Sequence, residues 1–344
     1  MGIIITDTIT KQYLKYCTWS SVLYESCLLM RALCIHDDLR NDMSCAFENG
    51  RFFIKQSNVA NALMRLSSFF ETHPLLSSAA LQAAKNLITN EESVQIMANH
   101  GAIELIKSIL TSSDLPVSLL KAAIGVMRNI CADDIRKDKI VADGSLDLLI
   151  RVMGQDPYRK DGSLMEHATA CLAAITLRSP SNSIRVVQSG NAVEILAHAM
   201  RSYSDRAGLL RQGALTVRNI AARCPDLRPI LLDAGLEDIL RSAGRLADVV
   251  DEAYGALRDL GCEVNYVKVN PLTGSIEPVY EQFGVKPKLQ FNPIYDDDDQ
   301  VITERIQQEA RAPFAVMPPI PPLDDDDDDY DMRHNHEHSS ACHH

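Results

Sequence analysis

A phrase returns every 40 to 45 residues in this chain: AAKNLI at 83–88, VMRNIC at 126–131, VRNIAA at 217–222 and LRDLGC at 257–262. Aligned, one column holds Asn86, Asn129, Ala174, Asn219 and Asp259, spaced 43, 45, 45 and 40 apart. A second phrase runs ahead of each: NHGAIELIKSIL, ADGSLDLLIRVM, QSGNAVEILAHAM and DAGLEDILRSAG, with Gly101, Gly144, Gly190 and Gly235 at its turn. In VSLLKAAIGVMRNI the apolar residues Leu120, Ala123, Ile124, Met127 and Ile130 recur at helical spacing. One such helix cannot bury its stripe alone, but stacked neighbours bury a continuous core between them. The repeated glycine suits the sharp junction after a short first helix, because glycine reaches positive φ at no steric cost. A fainter copy at 49–70 has Asn58 at the glycine place, and Asn is the next residue to tolerate that conformation.

A period in the low forties, built from two or three helices, is the signature of an armadillo or HEAT solenoid. The expected fold is all-α, an armadillo-type right-handed α-solenoid over residues 17–265. A short segment, 1–16, precedes it. The periodicity stops after Val264, and residues 266–344 read as an extended or disordered tail with Asp runs, a proline segment and a His-rich end.

Composition fits helix-on-helix packing: 46% of residues are apolar and only 6% aromatic. The net charge of −12 is uneven. Residues 295–344 carry fourteen acids against three arginines, so the body is nearly neutral, which is not a nucleic-acid-binding profile. Nine scattered cysteines form no CxxC and are odd in number; Cys131 and Cys171 fall on apolar helix faces and read as buried free thiols. The start MGIIITDTITKQ lacks a secretory n-region, and Gly2 with Thr6 matches a myristoylation pattern only superficially. No 18-residue apolar stretch occurs. The expectation is a cytoplasmic monomer with no membrane contact.

The repeats resemble armadillo repeats, and the array is similar to the armadillo-repeat-containing protein 6 family. The likeness rests on ALCIHDDLR at 32–40, FIKQSN before the helix at 59–70, KAAIGVMRNICADDIRKDKIVADG at 121–144 and ALRDLGCEV at 256–264. It covers roughly residues 22–274. The family's array extends further toward the N-terminus, so this chain reads as a shortened form, a fragment or a misplaced start. The tail after about residue 275 lies outside the family pattern. The resemblance implies a cytosolic interaction protein.

In armadillo proteins the third helix of each repeat lines a concave groove, and an Asn at this column hydrogen-bonds the main chain of an extended peptide. Here Asn86, Asn129 and Asn219 match, Asp259 matches in part, and Ala174 breaks the ladder. The preceding column holds Arg31, Lys85, Arg128, Ala173, Arg218 and Arg258, a basic stripe. Nuclear-import receptors place Trp one turn before the Asn; here that place holds Gln82, Gly125, Ala170, Leu215 and Gly255. A basic stripe without those tryptophans favours an acidic or phosphorylated partner segment. The competing reading is structural: Arg and Asn near helix ends cap carbonyls and hold repeats in register.

Other signals are weaker. Asn292, Pro293 and Tyr295 form an NPxY sequence that could present the Tyr in a turn. Pro318–Pro322 reads as a rigid spacer. The terminal histidines with Cys342 do not match a zinc finger, so no metal site or cofactor is expected. Asp37-Asp38 and Asp133-Asp134 read as caps or solvated turns. No P-loop, HExxH, GxSxG or Rossmann pattern appears, so no catalytic residues are expected. The reading favoured is a non-enzymatic scaffold or adaptor that binds an extended segment along the groove. The alternative is a chaperone-like or regulatory protein whose acidic tail binds basic proteins; an enzyme with an unrecognised site ranks third. The tail is also expected to occupy the groove reversibly in a salt-sensitive way.

Overall fold

The computed structural model of the protein describes residues 19–35, 45–56, 58–264, 267–269 and 276–278. All lie in the first of two units, Met1–Tyr295; the second is Asp296–His344. The expectations for the NPxY sequence, the proline spacer, the Asp runs, the His-rich end, tail disorder and Asp37-Asp38 fall outside the described residues.

Sixteen α-helices form among the described residues. Helix α1 is Trp19–Leu33. Five triplets follow: α2 Ala46–Lys55, α3 Val59–Ser67 and α4 Pro74–Leu87; α5 Glu91–Asn99, α6 Ala102–Thr111 and α7 Val117–Ile130; α8 Asp134–Ala142, α9 Ser145–Gly154 and α10 Gly162–Thr176; α11 Pro180–Gln188, α12 Ala192–Ser202 and α13 Ala207–Arg223; α14 Arg228–Asp233, α15 Leu236–Ala243 and α16 Val250–Leu260. This is the expected armadillo-type α-solenoid. In each triplet the recurring phrase ends the third helix, here called H3.

Side-chain caps start the first helix in three of the five triplets. Asn90 caps α5 reciprocally with Ser93, and the Asp133 carboxylate accepts the Arg136 N–H at 2.8 Å to open α8. The Ser179 hydroxyl accepts from the Asn182 N–H at the head of α11, ahead of Pro180. Asp133 is thus a cap, as the paired acids predicted. The second helix follows a left-handed residue: Gly101, Gly144, Gly190 and Gly235 take φ of 84°, 89°, 52° and 75°. Asn58 does not copy them. Its φ is −118°, so the first triplet makes the junction without a left-handed residue there.

The H3 helices form the spine. Helices α1, α4, α7, α10, α13 and α16 pack in one row, each against the H3 of the next triplet. The stripe Leu120, Ala123, Ile124, Met127 and Ile130 of α7 is buried throughout, as its spacing predicted. Cys131 and Cys171 are buried free thiols in the same core. A staple within the third triplet reinforces the stack. The Lys137 side chain is 1% exposed; its ammonium donates to Asp134 at 2.6 Å and to the Leu177 carbonyl beyond α10 at 2.7 Å. After α16, two short strands, β1 Val267–Val269 and β2 Ile276–Pro278, pair antiparallel with Lys268 opposite Glu277.

Candidate functional site

The phrase column falls one or two residues inside the C-terminal end of the H3 helices in α4, α7, α10 and α16, and four residues inside it in α13. Because the H3 helices stack, residues 43 to 45 apart become neighbours across the row. The Asn129 amide donates to the Lys85 carbonyl of the preceding triplet at 2.9 Å and to the Ile88 carbonyl at 3.4 Å. Asn219 repeats this on the Ala173 carbonyl at 3.1 Å, and Asn86 on the Arg31 carbonyl at 3.4 Å. The acceptor is each time the residue just before the column in the preceding triplet. An amide has two N–H donors and one carbonyl acceptor. Asn129 directs N–H donors at two backbone carbonyls, and among the described residues no donor reaches its Oδ1. Asn219 is buried, with its Oδ1 3.5 Å from Arg223 Nη1.

Asp259 has no N–H to donate. It instead accepts from Arg218 of the preceding triplet at 3.3 Å and from its neighbour Arg258 at 2.8 Å. Ala174 makes no such tie.

The preceding column does not present a uniform row of cations. Arg31 departs from the expected stripe: it is 1% exposed, and its guanidinium donates to Gln82 on α4. It sits at the α1–α4 packing seam. Arg218 and Arg258 share the Asp259 carboxylate. Arg128 is half-buried, and among the described residues it makes no hydrogen bond or ion pair. Lys85 is also half-buried, and its stem lies across Gly125 of the next H3: a β-carbon at Gly125 would stand 2.9 Å from Lys85 Cδ and 4.0 Å from His167 Cδ2. Arg218 lies likewise over Gly255, where a β-carbon would meet its Nη1 at 3.4 Å.

Gly125 and Gly255 therefore have a role beyond the missing tryptophan. A glycine inside a helix costs about 1 kcal/mol relative to alanine. At both positions it makes room for a basic stem from the triplet before. Their recurrence at one column, 130 residues apart, was the available signal. On α10 the equivalent places hold Ala170 and Ala173, both buried, and then half-buried Ala174.

Beside Asn129 opens a cleft of about 460 Å³, lined by Ile88, Asn90, Val94, Ala132, Asp134 and Arg178 among others. Its Asp134 carboxylate is engaged by Lys137 at 2.6 Å and Arg178 at 3.4 Å. The Lys137 ammonium holds the Asp134 carboxyl below its usual range, with Arg178 adding to the effect. Among the described residues, no three His, Cys, Asp or Glu side chains gather as for a metal ion, and no helix is long and apolar enough to cross a membrane.

No family model matches the chain. It is 27% identical over 172 residues to armadillo repeat-containing protein 6 of Pongo abelii, and 28% identical over 172 residues to that of Homo sapiens. Each match covers 48% of this chain and 34% of the relative, so the chain spans about a third of the length of these curated relatives. Among solved structures, an engineered protein superposes with a TM-score of 0.61 at 19% identity, over 76% of this chain and 96% of the other. A designed armadillo repeat protein in complex with the peptide (KR)4 gives 0.51 at 18% identity, over 68% and 98%. These likenesses agree with the armadillo fold and with the family resemblance read from the repeats.

Proposed function

We propose that this chain is a non-enzymatic scaffold whose concave H3 face receives an extended acidic or phosphorylated segment of a partner protein in the cytoplasm. The armadillo fold and the armadillo relatives support protein binding in general. The observation that carries the sign of the partner is Arg128, a cation on the H3 row with no hydrogen bond or ion pair among the described residues. A cation left unneutralised on a half-buried surface favours an anionic group brought by another molecule. The designed armadillo protein noted above holds the basic peptide (KR)4. This chain instead carries Arg128 on its H3 row, which favours a segment of the opposite sign.

The geometry supports a role for the other site residues too. Asn129 keeps an acceptor for a partner N–H while its own N–H groups tie two triplets together. Asn86, Asn219 and Asp259 hold the register that keeps the face in shape. Fluorescence anisotropy tests the reading. The chain is titrated into labelled degenerate nonapeptide pools fixed as acidic, neutral or basic at the central three positions. The acidic pool binds tightest, and Arg128→Glu abolishes its advantage. Preference for the basic pool, or an advantage that Arg128→Glu leaves intact, would contradict the proposal.

A further inference from the structure

The cleft of about 460 Å³ beside Asn129 lies where the C-terminal ends of α4 and α7 meet the heads of α5 and α8. Its floor is apolar: Ile88 and Val94 line it and are buried. Its rim carries Ile135, which at 75% exposure is the most exposed large hydrophobic side chain among the described residues. A lone surface isoleucine needs no explanation, but one at the edge of an apolar-floored cleft marks a place for another molecule. Two polar groups line the same cleft. The Asn129 amide gives its N–H groups to the Lys85 and Ile88 carbonyls, so its open atom is the acceptor Oδ1. Arg178 holds a left-handed φ of 59°, directly after Leu177, whose carbonyl accepts from the Lys137 ammonium at 2.7 Å. Among the described residues the Arg178 guanidinium makes one long contact, 3.4 Å to Asp134. Charge here is balanced. Asp133 pairs with Arg136 at 3.2 Å, and Asp134 with both Lys137 and Arg178. Exposed Glu91 brings the carboxylates to three, against three cations.

We infer that this cleft receives one aromatic side chain with a donor at its tip, tryptophan or tyrosine, carried by the partner segment. This rests on the reading of the H3 face above and adds an anchor next to Arg128, the residue before Asn129. The ring lies on Ile88 and Val94 with Ile135 beside it, and the indole N–H or phenol O–H donates to Asn129 Oδ1. Such side chains join an apolar body to a single polar tip, which matches an apolar floor with one open acceptor. Arg178 brings a weakly held guanidinium that can stack on the ring face. Other side chains fit less well. Leucine or phenylalanine would cover Oδ1 without giving it a donor, which costs free energy. Lysine or arginine would add a fourth cation to a balanced site. The volume falls within the ordinary range of ligand clefts, about 300–1,000 Å³.

The test titrates the chain into four fluorescein-labelled nonapeptide pools with acidic centres, alike except that positions two and eight are both Trp, both Tyr, both Phe or both Ser. The Trp and Tyr pools bind roughly ten-fold tighter than the Ser pool, with Phe between them. Ala132→Trp, which fills the cleft from its exposed wall, brings the four pools level. Ile135→Ser narrows the difference, and Ile230→Ser on distant α14 keeps it whole. Equal binding of the Tyr and Phe pools, or an aromatic advantage that Ala132→Trp and Ile135→Ser both leave intact, would overturn the inference. If all pools bind alike and Arg128→Glu weakens every one, the cleft assignment falls and the reading of the H3 face stands. If the aromatic advantage follows the cleft variants while Arg128→Glu changes nothing, the cleft stands and that reading falls. Absence of binding by any pool would overturn both. Circular dichroism melts of each variant confirm that losses come from the surface and not from unfolding.

Discussion

The Asn129 amide donates to the Lys85 carbonyl across the seam between two triplets, 2.9 Å away, and the same bond recurs from Asn219 to Ala173 at 3.1 Å. The recurring Asn is therefore a clamp between one repeat and the next. Removing it should loosen the stack. Asn129→Ala and Asn219→Ala should each lower stability by about 1–2 kcal/mol, since each loses a backbone bond and leaves a carbonyl without its partner. Urea midpoints measure this. Unchanged midpoints would show that the bonds contribute nothing net.

Arg128 and Arg218 occupy the same column and should behave differently. Arg218→Glu sets a carboxylate against Asp259, which already takes Arg258, and should lower the melting temperature. Arg128→Glu touches no partner and should stay within about 0.5 kcal/mol of the parent. Equal losses in both variants would mean that Arg128 has a structural role after all.

Acid should loosen the α8–α10 staple. The Asp134 carboxyl lies below its ordinary value of 3.8, chiefly because the Lys137 ammonium donates to it. A depressed carboxyl stabilises the fold fully above its ordinary value, and that contribution is lost as pH falls through the folded one. Asp134 is largely exposed, so this is a modest part of the whole acid response. Urea midpoints followed from pH 6 to about pH 3 should fall less steeply for Asp134→Asn than for the parent. Parallel slopes would contradict the assignment.

Thiol chemistry should divide the cysteines by depth. Burial pushes the Cys27 thiol up to about 12 and the Cys34 thiol to about 11. The Cys131 thiol is raised by its hydrogen bond with Cys171 and by burial. Alkylation needs the thiolate and access to it. Iodoacetamide at pH 8 should therefore label exposed Cys45 long before Cys27, Cys131 or Cys171, as peptide mass mapping would show. Early labelling of Cys131 would mean that the core of α7 opens readily.

The repeat period, the H3 phrase, the buried stripe of α7 and the four left-handed glycines were all legible in the sequence, because helix spacing and turn chemistry are local. Asn58 misled because tolerance of positive φ does not compel it. The use of the Asn column was not legible, since a 43-residue period does not say whether an amide points along the row or out of it. Arg31 read as a surface cation because its cover, Gln82, lies 51 residues away. Lys137 escaped notice for a similar reason: only the fold brings the Leu177 carbonyl to its ammonium. Gly125 and Gly255 were visible as small residues, but the stems they accommodate belong to other repeats.

The central claim is that the H3 row, and not the outer helices, receives an anionic partner segment. Benzoylphenylalanine placed at Ala174 on α10 and, separately, at exposed Ile184 on α11 tests it directly by photocrosslinking to the acidic peptide pool. The account predicts a crosslink from position 174 that Arg128→Glu suppresses, and none above background from position 184. Crosslinking from position 184 alone would contradict it.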